Sequence, residues 1–291
     1  MSRLRQRNTR TVSAQVSTAA RLRDILQYRE LLGNLVRMEL RAKYKSSALG
    51  FAWSLLNPAM YLVVFYVAFS VILGSGIPRF PIYLLSGLLV WNFFTACINA
   101  GTGSIVAGSG LVKKVWFPRE ILPLASIGAG LVHFFLQSIV LVIALVVAQQ
   151  PVGWKYMLLL PLALGALLIL AAALTLLLSA ANVYLRDIQH FVELALMAWF
   201  WVTPIIYQFT LLTEQFDGRA WPALLNPVTP IVLTFQRAFY GLYGDPPVLP
   251  PELTFGWYFR NLVVVTAAST VLLAVAMRVF RRLEGNLAEE L

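Results

Sequence analysis

Charged residues divide the chain into long uncharged runs. The first covers residues 46–78, and it begins directly after a basic segment that carries Arg37, Arg41, Lys43 and Lys45. Within it Trp53 stands at headgroup depth and the apolar stretch 58–73 follows, the order expected where a chain enters a membrane. Further uncharged runs cover 80–112, 121–154, 156–185 and 194–213, and a shorter one covers 261–277. A hydrocarbon core takes about 20 helical residues to cross. The run 121–154 has length for two crossings, but only 149–153 interrupts it before the next run, so it reads as one span ending in a tight turn. The pattern predicts an all-α integral membrane protein with six transmembrane helices.

Leu22, Ile25, Leu26, Leu32, Leu35, Val36 and Leu40 recur at near-helical spacing, with Arg21, Arg23, Arg29, Arg37 and Arg41 largely between them. This predicts an amphipathic interface helix within 21–56, with Gly33 as the place where it would break. The same basic residues also serve as the flank of a first span, and the two readings are compatible. Residues 1–20 hold four arginines and no apolar core, which excludes a secretory signal and predicts a disordered cytoplasmic tail. An organelle transit peptide shares that composition.

Six spans put both termini on one side. On that reading 18 of the 23 basic residues lie on the side of the termini, which makes it cytoplasmic. The connection 214–260 then lies outside. It is not uniformly polar: 226–243 is apolar and aromatic, contains Pro227 and Pro230 and carries Arg237. A seventh crossing there would carry Arg278, Arg281 and Arg282 to the wrong side. Two short helices dipping partway into the membrane are expected instead, because irregular backbone is tolerated at depth where it faces protein. Residues 245–251, rich in proline, form an exposed loop.

Composition narrows the chemistry. With 59% hydrophobic and 12% charged residues the chain cannot be a soluble domain. Its net charge of +10 does not indicate nucleic acid, because the basic residues flank apolar runs. Cys97 is the single cysteine, so no intrachain disulfide forms. No acid lies within a span; Glu120, Asp187 and Glu193 sit at span ends. That argues against an ion-driven carrier and a carboxylate-dependent membrane enzyme, although Glu214 and Asp217 leave a membrane glycosyltransferase or ligase as an outside reading. His133, alone in its span, fits a helix-to-helix hydrogen bond better than a proton relay. None of the five lysines follows a glycine, so the chain has no P-loop and any motor is another polypeptide.

Two segments suit a driven transporter. Residues 111–117 have the length of about two helical turns, with Lys113 and Lys114 exposed and Pro118 as a stop; an ordinary inside loop is the alternative. Tyr61, Phe65 and Phe69 recur at i, i+4 and i+8 and so share one helix face, while Trp199, Trp201 and Tyr207 enrich the fifth span. These aromatics either stack on a flat partner such as a sugar ring or pack against lipid and neighbouring helices.

Several segments in order resemble the membrane subunit of polysaccharide-exporting ABC transporters, the Wzm-like permeases paired with Wzt-like ATPases, with teichoic-acid exporters among them. The matching residues are 43–47 (KYKSS) with Leu49, Gly50 and Trp53, then 117–123 (FPREILP), 182–187 (NVYLRD), 203–205 (TPI), 226–227 (NP) and 280–284 (FRRLE). The resemblance implies a homodimer with two copies of the ATPase. It implies that ATP and Mg are bound there and no cofactor here, and that the cargo is a lipid-linked glycan such as an O-antigen, a teichoic acid or a cell-wall galactan. An exporter of a small lipid or drug is the alternative. It further implies a bacterial cytoplasmic membrane location and a division into tail (1–20), interface segment (21–56), six-span domain (57–280) and C-terminal tail (281–291). Within that domain 108–118 would couple to the ATPase through Lys113, Lys114, Trp116, Phe117 and Arg119. The outer gate would lie in 214–260, at Asn226, Pro227, Pro230 and Arg237. Arg186 and Asp187 would pair at the cytoplasmic rim, and spans one and five would line the path.

Overall fold

The computed structural model describes residues 27–45, 52–74, 76–216, 221–241, 248–250, 252–285 and 290–291. The tail over 1–20, the start of the interface segment and residues 245–247 and 251 of the proline-rich loop lie outside them; within that loop, expected to be exposed, Val248 and Leu249 are instead buried, because apolar side chains there pack into the core cluster. The described residues are helical without strands. In chain order the helices are α1 (Arg29–Tyr44), α2 (Ala52–Phe65) continuing as a π-helix (Tyr66–Ile72), α3 (Phe80–Ala107), α4 (Ser109–Val112), α5 (Ile121–Val147) and α6 (Trp154–Met157). After these come α7 (Leu160–Tyr184), α8 (Ile188–Val202), α9 (Phe209–Gln215), α10 (Trp221–Leu224), α11 (Val228–Phe239) and α12 (Phe255–Glu284).

Among the described residues four helical stretches are long and apolar enough to cross a membrane: Phe80–Ala107, Ile121–Val147, Trp154–Tyr184 and Phe255–Glu284. The first and fifth uncharged runs give shorter apolar helices, Pro58–Ile72 and Ile188–Val202. The fifth stops early because a residue before proline is driven out of the helical region; Thr203, preceding Pro204, is extended at φ −96° and ψ 128°. The first ends in wide turns, where the Leu73 N–H reaches the Ala68 carbonyl five residues back at 3.0 Å.

At the centre lies α3, packed on α5, α7, α8 and α11. It is the least apolar of the four long stretches and the most buried, with 78% of its central window covered against 28% for α5 and α12. Lipid tails are as apolar as leucine, so membrane helices associate through small and weakly polar residues. α3 supplies Ser86, Gly87, Gly101, Thr102, Gly103 and Ser104 for that purpose. A Cβ on Gly101 would sit 1.9 Å from the Thr175 Cγ2 of α7, and one on Gly130 of α5 would sit 2.5 Å from the Cys97 Sγ.

The end of the bundle that carries the α5–α6 turn is tied by polar side chains. Arg79, in the left-handed region at φ 49°, donates to Gln150 Oε1 at 2.7 Å and to the Ala148 carbonyl at 3.2 Å. Gln150 Nε2 donates to the Tyr240 carbonyl, and the Tyr240 hydroxyl to the Pro78 carbonyl, both at 2.8 Å. At the opposite end α1 rests on α5, and its helix runs unbroken through Gly33. Packing outweighs the roughly 1 kcal/mol that glycine costs a helix: Leu35 is buried in one apolar cluster with Val112, Phe117 and Leu122. Val36 also approaches Gly128 so closely that a Cβ there would meet it at 2.6 Å.

Candidate functional site

The aromatic face of α2 has an observed partner. Tyr61 stacks on Phe65 with centroids 6.2 Å apart, and Phe65 lies 6.0 Å from Phe69. Phe65 then meets Phe200 of α8 at 5.9 Å, and Phe200 meets Trp91 of α3 at 5.6 Å. Trp91, Phe94 and Trp199 continue the contact inward. Of the aromatics singled out in the fifth run, Trp199 therefore packs into the core, while Trp201 is 56% exposed and accepts, through its carbonyl, a hydrogen bond from the Tyr207 hydroxyl at 3.0 Å. Phe200 is the residue that faces α2. Its signal in the sequence was the i, i+4 spacing from Leu196, which places it on a face of its own.

Polar side chains line this aromatic wall. Asn92, Thr95 and Asn99 are spaced i, i+3 and i+7 along α3, and together with Tyr61 they border two cavities of about 360 and 270 Å³. His133 and Gln137 of α5 line the larger, with Lys43 and Trp53; Phe65, Glu193 and Phe200 line the smaller. Asn92 Nδ2 donates to Gln137 Oε1 at 3.2 Å. Sequence reasoning missed this strip, although three polar residues on one helical face of an otherwise apolar run was a legible signal.

The segment after α8 is organised by Asn226. Its Oδ1 accepts from Trp199 Nε1–H at 2.9 Å and from the Val228 N–H at 3.0 Å, and its Nδ2 donates to Thr203 Oγ1 at 2.8 Å. Pro227 then stands at the N-cap of α11, and Pro230 lies within its first turns, where a missing N–H costs little. Every residue of α11 from Val228 to Ala238 is buried. Twelve residues rise about 18 Å, short of the roughly 30 Å hydrocarbon core. Arg237 is 6% exposed, with its guanidinium 4.7 Å from the Tyr156 ring centroid and Nη2 3.4 Å from the Tyr156 hydroxyl.

Residues 108–118 give a shorter helix than the sequence predicts. α4 covers Ser109–Val112, and turns carry the chain onward to Pro118. Phe117 is buried in the cluster that also holds Leu35 of α1 and Ile121 of α5, whereas Trp116 is 69% exposed and Lys113, Lys114 and Val115 also face outward. Arg119 donates to the Glu284 carbonyl and so ties this segment to the end of α12. Arg186 and Asp187 do not form the expected ion pair: both are exposed, and no salt bridge joins them among the described residues. Adjacent side chains diverge, and Asp187 instead occupies the N-cap position of α8, where an acid is favoured by the helix dipole.

On α1, burial lifts the Glu39 carboxyl above the usual carboxylate range, partly offset by a hydrogen bond with Ser126 and by Lys43. A raised folded-state pKa means the native state holds the proton more tightly. Stability therefore falls as pH rises from the ordinary carboxylate pKa of about 4.3 through the folded value, and stays low above it. Glu39→Gln is expected to flatten that dependence and to raise the melting temperature at pH 8 more than at pH 4, as read by thermal unfolding of the purified protein in detergent.

The helical order around these groups can be set against known proteins. Residues 30–240, from the first turn of α1 to the residue after α11, match the model of the ABC-2 type transporter family. The chain belongs to that family. Among relatives of this ABC-2 type transporter, the O-antigen export system permease protein RfbA of Myxococcus xanthus is 33% identical over 271 residues, covering 93% of this chain and 98% of the relative. The protein of the same name from Klebsiella pneumoniae is 27% identical over 89% of this chain and 94% of its own. The polysialic acid transport protein KpsM of Escherichia coli is 23% identical over 84% and 90%. Both helices of the aromatic contact, α2 and α8, and the whole polar strip of α3 fall inside the family's matched region.

Proposed function

We propose that this chain is the transmembrane subunit of an ATP-driven exporter that moves a lipid-linked polysaccharide across the bacterial cytoplasmic membrane. The observation that carries the reading is the aromatic wall from Tyr61 through Phe65 and Phe200 to Trp91, lined by amides, in a chain whose relatives are named as O-antigen and polysialic acid export proteins. Aromatic faces supply stacking surfaces, and amides supply donors and acceptors for hydroxyls.

In this reading six helical segments cross the membrane with both termini cytoplasmic, α2 and α8 being completed by their flanking turns. α1 lies on the cytoplasmic surface, and residues 1–20 and 281–291 are tails. α2 has no fully buried residue in its π-helical part and exposes Met60, Tyr61, Val63, Val64 and Val67. A helix apolar on all sides seeks a partner or lipid, and a second copy of the chain would close the path from the other side. Two copies of a separate ATPase bind ATP and Mg and dock on Lys113, Lys114 and Trp116, with Phe117 anchoring that contact from within. Their closure is transmitted by α1 and by Arg119 to the bundle, and it moves α2 relative to α8. The Asn226 junction and α11 form the outer gate, with Arg237 held beneath Tyr156.

Replacing both Tyr61 and Phe65 with Leu removes two stacking faces worth roughly 0.5–1.5 kcal/mol each. Glycan export, read as surface polysaccharide in cells, is expected to drop about tenfold, while the tagged subunit still pulls down its second copy and the ATPase. Unchanged export would assign these rings to lipid packing. Glycan accumulating inside cells on depletion of the chain supports the exporter and excludes a glycosyltransferase.

A further inference from the structure

We propose that Asn92, Thr95 and Asn99 form a sugar-hydroxyl binding strip on α3, which holds a pyranose unit of the glycan against Tyr61 while the α5 amide and imidazole groups reach it from the far side. The proposal rests on the reading of the chain as a glycan exporter and adds a polar recognition element to a path otherwise described by aromatic rings.

The spacing of 92, 95 and 99 places all three side chains on one face over about 10 Å of helix. The two cavities lie on either side of this face and share it as a wall, with Tyr61 common to both. The larger, at about 360 Å³, is within the range of small-molecule sites, which begins near 300 Å³. Helix-to-helix attachment would explain polar residues that satisfy one another. Here only part of the hydrogen-bonding capacity is used. Asn92 gives one N–H to Gln137 and keeps another. The Thr95 hydroxyl donates back to the Trp91 carbonyl at 2.9 Å and keeps its lone pairs. Asn99, which lines both cavities, buries its Oδ1 without a hydrogen-bond partner among the described residues, while Gln189 Nε2 donates to its carbonyl at 3.3 Å.

Unfilled amide groups are costly in the apolar interior of a membrane protein. Their presence beside stacked rings selects the ligand class. A lipid tail would leave them unpaired. An ion would call for a converging set of carboxylates, and Glu193, the one acid on either wall, instead lies 3.9 Å from His190 and is half exposed. A sugar ring offers an apolar face to Tyr61 and hydroxyls, each both donor and acceptor, to the amides.

Single cysteines at Thr95 and Phe65, in a chain carrying Cys97→Ala, test this in inside-out membrane vesicles with the assembled complex. A water-soluble maleimide is the probe. Vesicles come from cells that make the glycan, with transport arrested by a non-hydrolysable ATP analogue, and from cells blocked in the first sugar transfer. Thr95→Cys should label without glycan and be protected about tenfold with it, as for a ligand near ten times its dissociation constant. If Phe65→Cys is protected and Thr95→Cys is not, the strip is overturned and the path stands. If neither is protected, both fall. A cysteine at 95 that never labels shows a dry helix contact and overturns the strip. Independently, Asn99→Leu should lose most export with the complex intact, and Asn99→Gln should restore part of it; normal export by Asn99→Leu overturns the proposal.

Discussion

Gly101→Leu is expected to leave no folded protein in the membrane. At this position α3 and α7 approach so closely that even a Cβ would lie 1.9 Å from Thr175 Cγ2, and both residues are buried. Overpacking a core typically costs about 1–3 kcal/mol. A whole leucine, with no void to enter, should exceed that and consume much of the roughly 5–15 kcal/mol that holds a domain folded. Gly101→Ala should fold with reduced stability. The companion Thr175→Ala removes the colliding methyl and leaves its own Cβ 3.2 Å away, a distance that small shifts can relieve. Melting temperatures of the two single variants and the double variant in detergent form a cycle. The double variant should recover most of what Gly101→Ala loses; additive losses would place the damage elsewhere.

Asn226→Ala should uncouple α8 from α11 without unfolding the rest. It removes the acceptor of Trp199 Nε1–H and of the Val228 N–H, and the donor to Thr203. Each buried group left unpaired costs about 1–3 kcal/mol. A local loss near 3 kcal/mol raises the open population about a hundredfold. Hydrogen exchange of the backbone amides at the start of α11 should accelerate by that factor, with the amides of α3 unchanged. Asn226→Asp keeps both acceptor contacts and should accelerate exchange less. If exchange rises equally in α3 and α11, Asn226 supports the whole bundle and has no special place at this junction.

The helical architecture was legible because charges mark its breaks, but two ends were not: Pro204 stops the fifth run's helix inside the run, and the short helix expected to reach Pro118 already ends at Val112. The face of Tyr61, Phe65 and Phe69 was legible for the same reason, since a period of 3.6 fixes which residues share a side. What lies opposite a face is not written in that period. Phe200 displaced the tryptophans as the partner of Phe65 through the relative rotation of α2 and α8, which only packing decides. The Asn92, Thr95 and Asn99 strip was overlooked because polar residues in an apolar run read as helix glue until their unused groups are seen. Arg186 and Asp187 suggested a pair by charge alone, and backbone direction at the start of α8 separates them.

The wide turns that finish the first apolar helix give it a reserve of length. A π-turn is wider than an α-turn, so tightening Tyr66–Ile72 into ordinary α-helix would extend the segment and rotate everything beyond it. Tyr61 and Phe65 lie before those turns and Phe69 within them. Phe65 is held by Phe200 before the wide turns and Phe69 by Phe80 within them, so a change of pitch between the two contacts would have to break one of them.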